Sequence, residues 1–237
     1  KSRCGYELTH PSDEGLDFYI PSLKSWVEVV SVTDGAPGNI NSIPKYESGV
    51  AYSYPEEKVI LRIRSAVEAK SNKIEEDIKK GLVAHDQPVI LCISGGGLEE
   101  RLPMYHEGGY PQVVKALLPV GDLTFWLSRE TNKLVSSEYK YRPQVKKQTG
   151  RGEIEISTEC FLDEKYKHIS AVIYSWANAG NPIMRDRWGC DYYTIHNPSA
   201  TNPLPKSFVR CGIEYGVIVG DGFFTIEPAI HHEKVNN

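Results

Sequence analysis

Cysteine is scarce in this chain, and what there is lies scattered. Cys4, Cys92, Cys160, Cys190 and Cys211 make an odd number, with no C-x-x-C pair among them. That argues against a disulfide framework and against a structural zinc site, and leaves reduced cytosolic thiols as the simplest reading. No stretch approaches the roughly 18 consecutive apolar residues of a membrane span, and no signal-peptide pattern is seen at Lys1. Internal repeats and low-complexity tracts are lacking as well. Nor is there a large excess of one charge, because 27 Lys and Arg face 31 Asp and Glu, for a net charge of −4. A uniformly basic surface is thereby excluded, so any grip on nucleic acid must come from basic residues gathered locally.

Common catalytic signatures are missing too. "CISGGGLEER", residues 92 to 101, is rich in glycine but has neither the spacing nor the Lys-Ser/Thr pair of a phosphate-cradling P-loop. It also lacks the G-x-S-x-G elbow, so Ser94 is a poor nucleophile and the glycines read as a strand-to-helix turn. A hydrolase built on Ser94 and His196 requires those two side chains to meet.

What is present is an ordinary globular composition, 40% hydrophobic and 24% charged over 237 residues, with chain enough for a sizeable core. "DFYI" and "SWVEVVSV" read as two strands joined by the turn "PSLK". A long Gly/Pro/Asn loop, "TDGAPGNINSIPKYESG", follows, of the length that is often functional or mobile. The clearest helix covers about residues 60 to 80 and is closed by Gly81. "QPVILCIS" and "HISAVIYSWA" look like strands buried on both faces. A short helix is expected around "YPQVVKALLP", and "SFVRCGIEYGVIVGDGFFTIE" alternates like terminal strands. This order predicts a single α/β domain over 1–237, a mixed central sheet flanked by helices, with C-terminal strands in 155–228.

One residue breaks the pattern. Glu28 stands in the middle of "SWVEVVSV", on the strand face shared by Trp26, Val30 and Val32. A buried unpaired carboxylate costs several kcal/mol, so Glu28 needs a partner. Asp17 opens the preceding strand, and a short turn brings both acids to one end of the sheet. Two close carboxylates repel, and a divalent cation with oxygen ligands is the usual remedy. The helix supplies a second anomaly. Wound at about 100° per residue, it places Lys70 within the apolar stripe of Ile63, Ala66, Val67 and Ile74, and Lys73 on its margin. A buried ammonium wants a carboxylate, and Glu28 is the expected one. The plain alternative is a structural buried ion pair.

The arrangement "LDFYI…WVEVV", followed by "ILRIRSAVEAK", resembles the PD-(D/E)xK phosphodiesterase superfamily, which includes restriction endonucleases and many repair and defence nucleases. The similarity covers about residues 3–95. Leu16 stands where that family has proline, and Val30 where it has its lysine; Lys70 or Lys73 would be that lysine displaced onto the helix. The resemblance implies a restriction-endonuclease-like core with a C-terminal β-rich extension. It implies Asp17 and Glu28 as ligands of Mg²⁺ or Mn²⁺, Glu7 as a helper from upstream, and Lys70 as the group that orients water or stabilises developing charge. The activity would be metal-dependent cleavage of nucleic acid, DNA before RNA, in a bacterial cytoplasm, with a homodimer as a frequent assembly of such nucleases. Val30 also supports another reading, a catalytically inactive binding or assembly module of the same fold. "KYRPQVKKQTGR", residues 140 to 151, holds five basic residues and no acid. Lys140, Arg142, Lys146 and Lys147 there, together with Lys73, are the candidates for a phosphate backbone; a solvated loop is the bland alternative.

Overall fold

The computed structural model describes residues 5–11, 14–45, 49–51, 53–98, 109–178 and 191–232. Strand β1 (Phe18–Ile20) and strand β2 (Ser25–Thr33) form an antiparallel hairpin in which Phe18 faces Val27 and Ile20 faces Ser25. The link is a 3-10 turn, Pro21–Leu23, and Lys24 closes it at φ 48°, a left-handed conformation uncommon for a residue with a Cβ.

Helix α1 (Glu56–Lys79) starts four residues earlier than its apolar periodicity suggests. Glu56 and Glu57 occupy its first turn, where carboxylates suit the positive end of the helix dipole. It ends in a Schellman arrangement: the Leu82 N–H donates to the Asp77 carbonyl and the Gly81 N–H to the Ile78 carbonyl. Gly81 adopts φ 75° there, as such caps require.

Strand β3 (Val89–Gly97) runs parallel to β2, with Glu28 beside Leu91. After α2 (Gln112–Leu117), two antiparallel hairpins stand apart from the main sheet. They are β4 (Val120–Leu127) with β5 (Leu134–Tyr141), and β6 (Gln144–Thr149) with β7 (Gly152–Ser157). The chain returns as β8 (Ala171–Ser175), parallel to β3, and then as β9 (Tyr192–His196). Strand β10 (Gly212–Tyr215) follows, then the small hairpin of β11 (Val217–Gly220) and β12 (Phe223–Ile226), and last β13 (Ile230–His232). The main sheet has seven strands in the order β1-β2-β3-β8-β9-β10-β13, with parallel and antiparallel neighbours mixed. The α/β class and the mixed sheet therefore match expectation.

Three details differ. Among the described residues the sheet has helix on one face only: α1 lays Val59, Ile60, Ile63, Val67 and Ile74 over Leu91 and Ile93. The other face, with Ile20, Val27, Ile90 and Ala171, is covered by Leu204, Phe208 and Val209 from a non-helical stretch. The basic run 140 to 151 is mostly strand, split between β5 and β6, rather than loop. The glycines after Ser94 continue β3 instead of turning into a helix. A Cβ on Gly96 would fall 2.4 Å from the Ala177 carbonyl oxygen, and one on Gly97 2.7 Å from that of Val32. Close approach of neighbouring backbone, not a turn, calls for glycine there.

Candidate functional site

Glu28 has no exposed surface. Its face of β2 looks at α1, and its neighbours Trp26, Val30 and Val32 join the core beneath that helix. The carboxylate is satisfied by two ammonium groups rather than one. Lys70 Nζ donates to Oε1 at 2.5 Å, and Lys73 Nζ donates to both oxygens at 2.8 Å. Lys73 also donates to the Gly15 carbonyl at 3.0 Å, which ties the chain before β1 to the helix. The stripe position of Lys70 thus met its expected partner, and Lys73, placed on the margin by periodicity, makes the larger number of bonds. The lysine side chains stay 25% and 39% exposed. Their stems line the cluster while their heads lie between the buried carboxylate and water.

Asp17 sits one residue before β1, and the hairpin register carried one step further sets it opposite Glu28. Because β1 is so short, the outer edge of β2 is left open at Val29. Asp17 Oδ2 accepts the Val29 N–H at 2.7 Å. Its other oxygen has no hydrogen bond among the described residues, and Glu28 Oε2 carries a single one. Counted at neutral pH, two carboxylates and two ammonium groups balance. Such a set can hold a small hard cation on its oxygens and can offer ammonium donors to an oxyanion alongside. Among the described residues no group of three or more His, Cys, Asp or Glu converges to hold a metal. A cation here would rest on two carboxylates plus water or a substrate oxygen, the habit of Mg²⁺.

No protein-family model, curated protein or solved structure matches this chain. Its site is therefore read from its own geometry.

Glu7 is not brought to this cluster. It is exposed, and the antiparallel bridge between Thr9 and Tyr19 runs residues before Thr9 toward Pro21, away from Asp17. The basic candidates separate in the same way. Arg142 is a structural cation: its Nη1 donates to Glu56 Oε2 at 2.8 Å, and Glu56 also takes the buried ammonium of Lys115. Lys146 is exposed but paired with Glu153 at 2.8 Å. Lys140 is exposed on β5. Lys147 is half-buried and lines a polar cleft against α1. The Ser94 and His196 reading fails on register. Ser94 lies beside Ser175 and His196 beside Ala171, at opposite ends of β8, about 13 Å apart along a strand.

A second buried strand glutamate carries the same sequence signal as Glu28 and was missed. Glu214 interrupts the apolar strand β10 and is buried. His196 Nε2 meets its Oε1 at 2.6 Å, His232 Nε2 meets Oε2 at 2.7 Å, and the Ser207 N–H reaches both oxygens. Burial pushes this carboxyl up, and the hydrogen bonds from His196, Ser207 and His232 outweigh it, holding the pKa at about 2. The cluster fastens β13 and the end of β9 to β10. Its partners are histidines and a backbone N–H rather than lysines.

Proposed function

We propose that this protein is a metal-dependent nuclease with a restriction-endonuclease-like core, acting through Asp17, Glu28 and the α1 lysines. One observation carries the reading: a fully buried strand glutamate, faced by an aspartate one residue before the adjacent strand and bound by two lysines from the next helix. An antiparallel hairpin, a long helix and then a strand parallel to the hairpin's second strand, in that chain order, support the reading. Asp17 Oδ1 and Glu28 Oε2 supply the hard oxygens that suit Mg²⁺ or Mn²⁺, and a bound divalent cation lowers the pKa of its water and offsets charge on a phosphate. The protein's own residues do the rest. Asp17, held by the Val29 N–H, is fixed in orientation. Lys70 and Lys73 bind both Glu28 oxygens and put ammonium N–H groups where a phosphodiester oxygen gains negative charge. Val30, in the family's usual lysine position, adds no charge, so that task falls to α1.

Incubation of the protein with plasmid DNA and with RNA, in Mg²⁺ and in Mn²⁺, tests the activity. Cleavage that EDTA abolishes and that Glu28→Gln lacks is expected, on DNA before RNA. Intact substrate under every condition removes the enzyme. A second reading, a non-catalytic binding or assembly module, is favoured by the three ammonium bonds that cover Glu28. It predicts binding of nucleic acid without cleavage. As to setting, no helix among the described residues is long and apolar enough to cross a membrane.

A further inference from the structure

A polar cleft of about 110 Å³ opens on the flank of α1, away from Glu28, lined by Asn39, Asn41, Leu61, Arg62, Ser65 and Lys147. Its acceptors are largely spent within the protein. Asn39 Oδ1 takes the Asn41 N–H, and Asn41 Oδ1 takes the Gln148 N–H. Asn41 Nδ2 returns a bond to the Gln148 carbonyl, so the 39–41 loop is stitched to β6. The Ser65 hydroxyl donates to the Leu61 carbonyl. Arg62 is held in place by one bond, Nε to the Thr33 carbonyl at 2.8 Å. What is left over is almost entirely donors: both Nη groups of Arg62, the Lys147 ammonium and Asn39 Nδ2 have no hydrogen-bond partner among the described residues. Neither Arg62 nor Lys147 is paired with a carboxylate there. Two unneutralised cations and an amide N–H around a small open cleft make a place for a tetrahedral oxyanion, since arginine forks and lysine point charges are the usual binders of phosphate.

We infer that this cleft binds a phosphate group, with Arg62 and Lys147 as its two charged ligands. The chemistry is shared by free phosphate and by a polynucleotide backbone. Between Arg62 and Lys73 the same flank of α1 carries Ala66 and Ala69 and no acid, over about 16 Å of helix rise. That is between four and five phosphates at about 3.4 Å of axial spacing per strand. A strand engaged at Glu28 therefore reaches the cleft; this reach rests on the nuclease reading, whereas phosphate binding does not.

The test is thermal unfolding of the whole chain titrated with inorganic phosphate, at constant ionic strength against chloride. Wild type is expected to gain stability with the logarithm of phosphate concentration once that exceeds the dissociation constant. Lys147→Gln and Arg62→Gln are expected to need at least tenfold more phosphate for the same shift. Lys147 makes no hydrogen bond among the described residues, so its variant keeps the fold and remains decisive where Arg62→Gln loosens the Thr33 contact. No phosphate-specific shift in wild type, or the same phosphate dependence in Lys147→Gln as in wild type, overturns the inference. A short oligonucleotide that competes with phosphate in wild type identifies a backbone phosphate as the source. Phosphate binding that the oligonucleotide leaves untouched keeps the cleft, identifies free phosphate, and separates it from the nuclease reading.

Discussion

Replacing both Lys70 and Lys73 with methionine keeps most of the apolar stems and removes both charges facing Glu28. The three ammonium bonds go, while the carboxylate stays in a site with no exposed surface. Stripping the partners from a buried charge costs about 3–5 kcal/mol, because the charge left behind is uncompensated. The reverse change is milder. Glu28→Gln leaves two lysines whose side chains are already 25% and 39% exposed, so both ammonium groups can turn to water, at a cost of about 1–2 kcal/mol for the lost hydrogen bonds. The double variant must therefore be the less stable of the two. Urea denaturation at neutral pH reads the difference. A double variant as stable as Glu28→Gln refutes the argument by showing that Glu28 reaches water without its lysines.

The Glu214 carboxyl is held at about 2 against an ordinary 4.5, so the contribution is complete above about pH 4.5 and disappears toward pH 2, a total of about 3 kcal/mol. Glu214→Gln should be less stable than wild type at pH 6, with the gap nearly closed at pH 2.5; an equal gap at both values contradicts this. Glu56→Ala removes the carboxylate shared by Lys115 and Arg142 but leaves Lys115 its bond to Asp122 at 2.8 Å, so it is expected to cost about 1–3 kcal/mol in chemical denaturation, where no measurable loss would show that Asp122 and water replace Glu56 in full. Gly96→Ala forces a Cβ to 2.4 Å from the Ala177 carbonyl oxygen and should lower stability by about 1–3 kcal/mol; a neutral or stabilising effect on the melting temperature counts against strand proximity as the reason for that glycine.

The parts of this structure that were readable in the sequence rest on local rules. Alternating strands, an apolar helical stripe with Gly81 past its end, and buried runs such as "VILCIS" state their own surroundings, and the Glu28–Lys70 pair followed from two local anomalies that needed each other. What escaped depends on partners far along the chain. Nothing local says that Arg142 belongs to Glu56, 86 positions away, and not to solvent. Gly95 to Gly97 look like a turn because glycine usually marks one, and only the positions of Tyr174, Ala177 and Val32 show otherwise. The Arg62–Lys147 cleft was hidden for the same reason: one cation sits on a helix flank and the other in a hairpin, joined by the fold alone. Glu214 is the exception, a carboxylate inside an apolar strand and so as local a signal as Glu28.

The central claim, that Asp17 and Glu28 share one divalent cation beside the α1 lysines, is tested most directly by calorimetric titration with Mn²⁺ of wild type, Asp17→Asn and Glu28→Gln. The account predicts one saturable site in wild type that each substitution abolishes. No binding in wild type, or a site that survives both substitutions, contradicts it.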